Sequence, residues 1–416
     1  MTMVQTRPGT PGPLPGGSPR LTRTDGGPGL DGHLARWGPL RLPADLVAEA
    51  GRAGLRGRGG AGFPTADKLA AVLAAVRTTG KRPVVVANGT EGEPLSAKDR
   101  TLLQHNPHLV LDGMAAAAVV VGADRAVLCV TDPAAAETLR RALSERTGAG
   151  RTGVGPVEMA VAVAPDRYVV GEESALVNWL DTGRPLPTRT PPRPSTRGVG
   201  RRPTLVDNVE TLAQLALLAR FGADWWRQAG TADDPGTMLA TVNRWVVEIE
   251  PGTPLDGLLP AGPVLVGGYS GTWLSADRVP GTTWTRASLG RHGAAFGCGV
   301  LATLPDGCCP LAEVARVARW LAAQSAGQCG PCAAGLPAVA AALRGVVAGD
   351  PGAVRQVQRW SAMVAGRGAC KLPDGAARFV ASAMAAFADH VDRHRRHGPC
   401  PGVDHPAVLP TPGGAA

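Results

Sequence analysis

Three sets of residues have the types and spacing that chemistry needs. The first is Gly54-Leu55-Arg56-Gly57-Arg58-Gly59-Gly60-Ala61-Gly62-Phe63-Pro64-Thr65, five glycines in nine residues ahead of a helix start. Glycine lets several backbone N–H groups turn toward one phosphate, and the following helix adds its positive end. The stretch points to a phosphate-bearing cofactor, although it is neither a Walker loop nor a clean G-x-G-x-x-G and a flexible surface loop is the plainer alternative. The second set is acidic: Glu91 and Glu93 flank Gly92, and Glu172 with Glu173 follows Tyr168-Val169-Val170-Gly171. Either pair alone is an ordinary solvated turn; both at one sheet edge beside a phosphate loop could meet sugar hydroxyls, amides or ring N–H groups. The third set is Cys329 and Cys332 in Gln328-Cys329-Gly330-Pro331-Cys332, with Cys370 in Gly368-Ala369-Cys370-Lys371. A Cys-x-x-Cys at a helix–helix corner plus a distant third cysteine is how iron–sulfur clusters are held. Cys-Gly-Pro-Cys is also the thioredoxin-type dithiol. That motif follows a strand and opens a long helix, whereas here it follows a helix ending near Gln324.

The elements that must position these groups alternate. A helix at 67–76, a strand at 83–87, the polar turn 88–94, a helix at 107–121, a strand at 126–130, a helix at 133–146 and a strand at 157–163 predict an α/β fold with a parallel sheet. Ligands of such sheets sit beyond the carboxyl ends of the strands, the edge from which both acidic turns depart. A Pro-rich segment spans 184–203, and 204–221 returns to helix after the turn Val206-Asp207-Asn208. Short β-like runs at 239–242, 246–249 and 264–266 suggest a small β-rich module. Helices at 311–324, 335–347, 352–364 and 375–395 suggest a bundle. Residues 1–28 carry almost nothing to bury and are expected to be disordered; 397–416 read as a loose tail.

Composition narrows the options. A chain of 416 residues with 44% hydrophobic residues can hold two or three domains. The net charge of +9 does not argue for nucleic acid, because the basic residues are nearly all arginine, spread along the chain without aromatic stacking positions beside them. Lysine occurs only at Lys68, Lys81, Lys98 and Lys371, and Lys68 and Lys98 fall beside the motifs above. The longest apolar run, 114–121, is too short to span a bilayer, and no hydrophobic signal core opens the chain, so a cytoplasmic protein without direct membrane insertion is expected. Eight cysteines in such a chain favour metal or redox chemistry over a disulfide scaffold.

Taken in order, the glycine string at 54–65, Asn88 to Arg100, Gly171-Glu172-Glu173-Ser174-Ala175-Leu176, Asp207-Asn208-Val209-Glu210-Thr211-Leu212 and Gly327-Gln328-Cys329-Gly330-Pro331-Cys332 resemble one family. It is the flavin-carrying, NADH-oxidising subunit of respiratory complex I and of related NAD-reducing hydrogenases and formate dehydrogenases. The resemblance covers about 40–390. It implies an FMN/NADH-binding α/β domain (30–225), a β-grasp module of the soluble-ligand-binding type (236–290) and a helical bundle (296–395) carrying a [4Fe–4S] cluster. Carried over by residue, it implies that Gly57, Arg58, Gly59, Gly60 and Lys68 hold the FMN phosphate and ring. Asn88, Glu91, Gly171, Glu172, Asp207, Asn208 and Thr211 complete the flavin pocket. Phe63 stacks on the adenine of NADH, Glu93, Tyr168 and Glu173 line the NADH site with the two glutamates as catalytic candidates, and Cys329, Cys332 and Cys370 ligate the cluster. A ferredoxin-like or thioredoxin-fold iron–sulfur protein is the implied partner.

The chain also departs from the family pattern. Ala326 stands where the first cysteine of Cys-x-x-Cys-x-x-Cys belongs, and a helix at 311–324 would hold Cys308 and Cys309 roughly 20 Å from Cys329. Thr90 replaces an aspartate and Asp207 an asparagine. On the nucleotide side an aromatic is replaced by Ala71, and Lys-Pro-Pro-Phe reads Thr190-Pro191-Pro192-Arg193, which predicts weaker NADH binding. Two other functions compete: a thiol–disulfide oxidoreductase using Cys329 and Cys332, and a redox-inactive scaffold of the same fold.

Overall fold

The computed structural model describes residues 19–148 and 157–413. The chain divides into two compact units, one of residues up to Gly92 with Ser96–Thr253, the other of Glu93–Leu95 with Pro254–Ala416.

The first unit holds the expected parallel α/β sheet and also the hairpin at 238–249, which the sequence reading placed in the β-rich module. Its helices are α1 (Leu30–Trp37), α2 (Leu46–Ala53), α3 (Thr65–Thr79), α4 (Lys98–His105), α5 (Pro107–Val121), α6 (Pro133–Gly148), α7 (Glu173–Thr182) and α8 (Val209–Trp226). Its strands are β1 (Val84–Gly89), β2 (Arg125–Val130), β3 (Glu158–Val163), β4 (Thr204–Asn208) and the hairpin β5 (Met238–Val242) with β6 (Trp245–Ile249). The sheet runs β3-β2-β1-β4 and is parallel throughout. Val84, Val85, Val86 and Ala87 are all buried, as a central parallel strand covered on both faces requires.

β4 corrects the sequence reading, which gave 206–208 as a turn ahead of the helix and no strand at 204–208. Thr204–Asn208 pairs along β1 from Val84↔Thr204 to Asn88↔Asn208, and the helix begins only at Val209. Five residues after Pro203 give too short a pattern to separate a buried strand from the start of a helix. Pairing to β1 decided it. The consequence is functional: the chain steps outward from β1 to β2 and β3 and then returns to the other side of β1, so a switch point lies between β1 and β4.

α5 starts with Pro107, whose missing N–H costs nothing there, and ends at Gly122 in the left-handed conformation (φ 75°). It packs on α8 so closely that a Cβ at Gly113 would lie 1.9 Å from the Leu212 carbonyl oxygen. Where α5 is polar it is paired: Asp112 accepts from Arg146 at 2.7 Å and from His33 at 2.7 Å, and also meets Arg220. These charges hold the Asp112 carboxyl well below the usual aspartate range in spite of its burial.

Residues 1–18 of the stretch expected to be disordered lie outside the described residues. The part from Arg20 onward is anchored: the amides of Arg20, Leu21 and Thr22 donate to the buried Glu248 carboxylate at 2.9–3.2 Å, and Leu21 is only 1% exposed. One buried glutamate that gathers these amides outweighs the low apolar content of the segment.

In the second unit β7 (Val264–Val266) pairs antiparallel with β8 (Thr272–Leu274) and with β9 (Val300–Thr303). After the short α9 (Arg286–Gly290) come α10 (Pro310–Ala323), α11 (Leu336–Ala348), α12 (Ala353–Val364), α13 (Leu372–Ala386) and α14 (Ala388–His397). The helix expected at 375–395 is thus two, broken at Phe387, which leaves helical geometry (φ −114°, ψ 30°) to stack on Trp273, 5.0 Å between ring centroids. As far as residue 413, where the described residues end, the expected loose tail is docked. Leu409 is buried with its amide on Glu313 (2.7 Å), and Trp320 donates to the Pro412 carbonyl (2.9 Å). Pro331–Ala348 is the one helical stretch among the described residues with the length and composition to cross a bilayer, longer than the run at 114–121. Its Leu336, Val339, Leu343 and Val346 are buried within the bundle, which is what a core helix of a folded bundle shows.

Gly113→Ala should destabilise the chain by about 1–3 kcal/mol, the usual cost of overpacking, read from the midpoint of chemical denaturation. A change under about 0.5 kcal/mol would show that α5 and α8 part freely.

Candidate functional site

The glycine loop sits between α2 and α3, pinned at both ends. Leu55 takes the Thr65 amide (2.9 Å), Gly57 donates to the Phe63 carbonyl (2.8 Å), and Arg56 reaches the Gly62 carbonyl (2.8 Å). Gly60 (φ 111°) and Gly62 (φ 62°) occupy backbone regions that side chains resist. The amides of Gly59, Gly60 and Ala61 have no acceptor among the described residues, and α3 begins just beyond. Arg58 faces inward: its amide donates to Thr211 Oγ1 (2.8 Å) and its guanidinium to the Thr237 carbonyl (3.2 Å). Of the residues expected at a phosphate, Arg58 therefore anchors the loop on α8, and the open donors lie one to three residues later.

The loop lies against the β1/β4 switch point. A Cβ on Gly59 would stand 3.3 Å from Asn208 Cβ. Asn208 caps α8 through its side chain on the Glu210 amide (3.0 Å) and donates to the Asn88 carbonyl (3.3 Å) and Asp99 (2.6 Å). Lys98, absent from the expected site, ties these pieces with its Nζ 2.6 Å from Asp99 and 2.9 Å from Glu210. Burial opposes its charge, but the two carboxylates hold its pKa above the ordinary lysine value.

The two acidic turns meet at this edge. Asn88 donates to the Gly171 carbonyl (3.0 Å), and at Gly92 a Cβ would be 2.9 Å from the Tyr168 carbonyl oxygen. Most of their acids serve the backbone. Glu91 accepts from the amides of Asp99 (3.0 Å) and Arg100 (3.1 Å) at the start of α4, and its pKa is raised by burial and then by Asp99. Glu172 caps α7 on the Ala175 amide (2.9 Å). Glu93 belongs to the second unit, where its carboxylate takes the Tyr269 amide (2.8 Å). The acids free of such duties are Glu173, 3.5 Å from Lys68 Nζ, and Asp207, 3.9 Å from the same ammonium. Asp207 is 5% exposed, and its Oδ2 has no hydrogen-bond partner. Burial first, against the pull of Lys68, pushes its pKa up to about 6. Phe63 is 44% exposed beside the loop, as an aromatic awaiting a flat partner would be.

In the second unit Cys329, Cys332 and Cys370 come together. Cys332 is buried and its thiol is pushed up to about 12 by burial, then by Cys329 and by Cys370. Burial also opposes a Cys329 thiolate, but hydrogen bonds from the Ala369 and Cys332 amides prevail and leave it below the ordinary thiol. The Cys-Gly-Pro-Cys turn leads through a wide turn (Pro331–Gly335) into α11, with a helix rather than a strand before it.

Residues 50–217 match the Nuo51 FMN-binding domain and residues 312–394 the NADH-ubiquinone oxidoreductase-F iron–sulfur binding region. The F subunit of NADH-quinone oxidoreductase from Mycobacterium bovis is 30% identical over 385 residues, 86% of each chain. The chain belongs to the family of NADH-quinone oxidoreductase F subunits. The F 2 subunit of the same enzyme from Rhizobium meliloti is 28% identical over 392 residues, 85% of this chain and 90% of the relative. In structure the chain is similar to NAD+-reducing [NiFe]-hydrogenase in the H2-reduced state, with a TM-score of 0.74 and 30% identity over 83% of this chain; it spans 62% of that longer chain. Membership makes this an oxidoreductase of the NADH dehydrogenase type with FMN-binding and iron–sulfur-binding regions.

Both regions suit their groups. Open loop amides, an unpartnered buried Oδ2 on Asp207 and the Lys68 ammonium fit a polar, phosphate-bearing ring system. The three gathered thiols fit a cluster held by three thiolates, since Ala326 supplies no donor. Cys298 gives no fourth: its Sγ donates to the Gly267 carbonyl (3.3 Å).

Asp207 carries a pH signature. Its folded pKa lies above the ordinary 3.8, so the fold favours the protonated form. That stabilisation is complete below about pH 4 and is lost as pH rises through about 6. Asp207→Asn should therefore exceed the parent in stability by about 3 kcal/mol at pH 7, two pKa units at about 1.4 each, with the advantage vanishing near pH 4. Denaturation midpoints of both proteins across that range measure it; a pH-independent difference would show an ordinary aspartate.

Proposed function

We propose that the chain binds FMN at the β1/β4 edge, takes reducing equivalents from NADH, and delivers single electrons through a cluster on Cys329, Cys332 and Cys370 to a small iron–sulfur protein. The observation that carries this reading is the convergence on one sheet edge of the open glycine-loop amides, Lys68, Glu173 and a buried Asp207 with an unpartnered oxygen. FMN, when bound, supplies the exchange between a two-electron hydride and single electrons.

The chain's own residues supply position and charge. The amides of Gly59, Gly60 and Ala61 and the start of α3 receive a phosphate. Asn88, Gly171, Asn208 and Thr211 fix the floor on which a ring would rest, through the hydrogen bonds they already make. Asp207 can hold a proton at Oδ2 up to about pH 6, and Lys68 offsets whichever negative charge remains on Glu173 or beside it. Glu91 and Glu172 act one step back, by holding the starts of α4 and α7 in place. Phe63, Tyr168 and Glu173 are the proposed nicotinamide-nucleotide contacts, and Glu93 is assigned the same site from the family pattern. A ferredoxin-like or thioredoxin-fold partner with an acidic face would suit the +9 charge, and the cytoplasm is the proposed location.

Protein purified without oxygen should be yellow-brown, release FMN and iron on denaturation, and bleach on addition of NADH. Cys370→Ala should lose the iron and keep the flavin. Protein that stays colourless in excess FMN would favour a redox-inactive scaffold, and a titratable dithiol at Cys329 and Cys332 without iron would favour thiol–disulfide exchange. Ala71 is exposed on α3, so Ala71→Phe should restore a stacking surface and tighten NADH about 2–10-fold, equivalent to about 0.5–1.5 kcal/mol. Anaerobic rapid mixing with increasing NADH reads that gain.

A further inference from the structure

The cluster reading leaves Cys308, Cys309, Cys400 and a fully buried histidine without a role. They belong to one place in the second unit. Cys309 is the residue before α10, His394 lies in the last turn of α14, and Cys400 follows in the turn beyond it. The donor atoms of Cys309, His394 and Cys400 all lie within 4.8 Å of one another, with Cys309 Sγ 3.6 Å from His394 Nε2. In a tetrahedral zinc site the bond lengths place neighbouring donors about 3.3–3.8 Å apart, so the group needs only a small contraction.

His394 is prepared for that role. Its Nδ1 lies 2.8 Å from the Val347 carbonyl at the end of α11. A carbonyl can only accept, so Nδ1 carries the proton and Nε2 presents its lone pair to the two thiols. This is how outer-shell carbonyls orient metal-binding histidines. The same lone pair faces the Cys400 amide at 3.3 Å. The backbone is shaped around the site as well: the Cys309 amide donates to the Gly402 carbonyl (3.0 Å), and a Cβ on Gly402 would lie 2.4 Å from the Gly307 carbonyl oxygen and 2.8 Å from the Cys309 amide. Only glycine lets the turn after Cys400 press against Gly307–Cys309. Cys308, the neighbour of Cys309 in sequence, is half-buried and is not among the three donors that converge.

We propose that Cys309, His394 and Cys400 form a structural zinc site that clamps the start of α10 to the end of α14. Thiolates with one imidazole select zinc among the common divalent ions. The site is separate from Cys329, Cys332 and Cys370, and it does not depend on the flavin or NADH reading.

The test uses the full chain, purified without oxygen, with zinc and iron measured separately. Zinc should copurify at about one ion per chain, and cobalt(II) exchanged into the protein should give intense thiolate-to-metal absorption with tetrahedral d–d bands. Cys400→Ser lies at a half-exposed position near the end of the described chain. It should weaken zinc binding by more than the about 10–100-fold that loss of an outer-shell partner costs, leaving iron content unchanged. Zinc should raise the melting temperature of the parent and not that of Cys400→Ser. Cys329→Ala with Cys332→Ala should lose iron and keep zinc, which separates this site from the cluster. The proposal is overturned if the parent binds zinc no more tightly than Cys400→Ser, or if zinc-loaded parent retains a Cys309–Cys400 disulfide by mass spectrometry.

Discussion

The buried ammonium of Lys98, set between Asp99 and Glu210 and 3.3 Å from the Asn208 side chain, is the interaction on which the flavin-side architecture depends. It joins the start of α4, which follows the first acidic turn, to the β4–α8 junction, which carries Asp207 and Asn208. A charge buried this deeply survives only when paired. Removing one partner of such a group leaves the other stranded at a cost of about 3–5 kcal/mol. Lys98 therefore acts less as a source of stability than as a register pin. With it in place, Asn208 is held where it can cap α8, meet Asn88 and floor the glycine loop. A planar guanidinium could not donate from one point to three acceptors around it, which accounts for lysine here in a chain whose cations are otherwise almost all arginine.

Carboxylates in this chain are used mostly as backbone acceptors. Glu91 holds the start of α4, Glu172 caps α7, Glu248 gathers the amides of Arg20, Leu21 and Thr22, and Glu313 receives Leu409. A buried carboxylate with several amide donors is well satisfied and can order a segment with little apolar surface of its own. The same accounting singles out Asp207 and Glu173 as acids left available for a bound group. The family resemblance implies an aspartate at the position of Thr90 and an asparagine at that of Asp207. In this chain Thr90 completes a neutral turn with Asn88 (2.6 Å), and an acid, Asp207, stands on β4 beside Lys68. Burial on that strand raises the pKa of Asp207.

The thiols divide along similar lines. Cys329, Cys332 and Cys370 lie around the turn between α10 and α11 and the loop before α13, and Cys309 and Cys400 lie with His394 where α10 begins and α14 ends. Two thiol groups at separate places in one bundle allow one to be redox-active while the other holds the helices that carry it.

Much was legible in the sequence because it is local. The glycine string, the buried valine run of β1, the Pro and Gly boundaries of α5 and the Cys-Gly-Pro-Cys turn depend on neighbours a few residues away, where backbone geometry and hydrophobic period act directly. Family resemblance rested on those same local strings. The tertiary structure decided what depends on distant partners. Thr204–Asn208 became a strand because β1 offered it hydrogen bonds across 120 residues. Arg58 turned inward because Thr211 and Thr237 awaited it. Arg20–Thr22 and the segment around Leu409 became ordered because their amides found the buried carboxylates of Glu248 and Glu313. Cys309 met His394 across 85 residues. No spacing rule reaches that far along a chain, since which polar groups become neighbours is fixed by how the helices and sheet bury their apolar faces, and the polar groups then pair with whatever that burial leaves beside them.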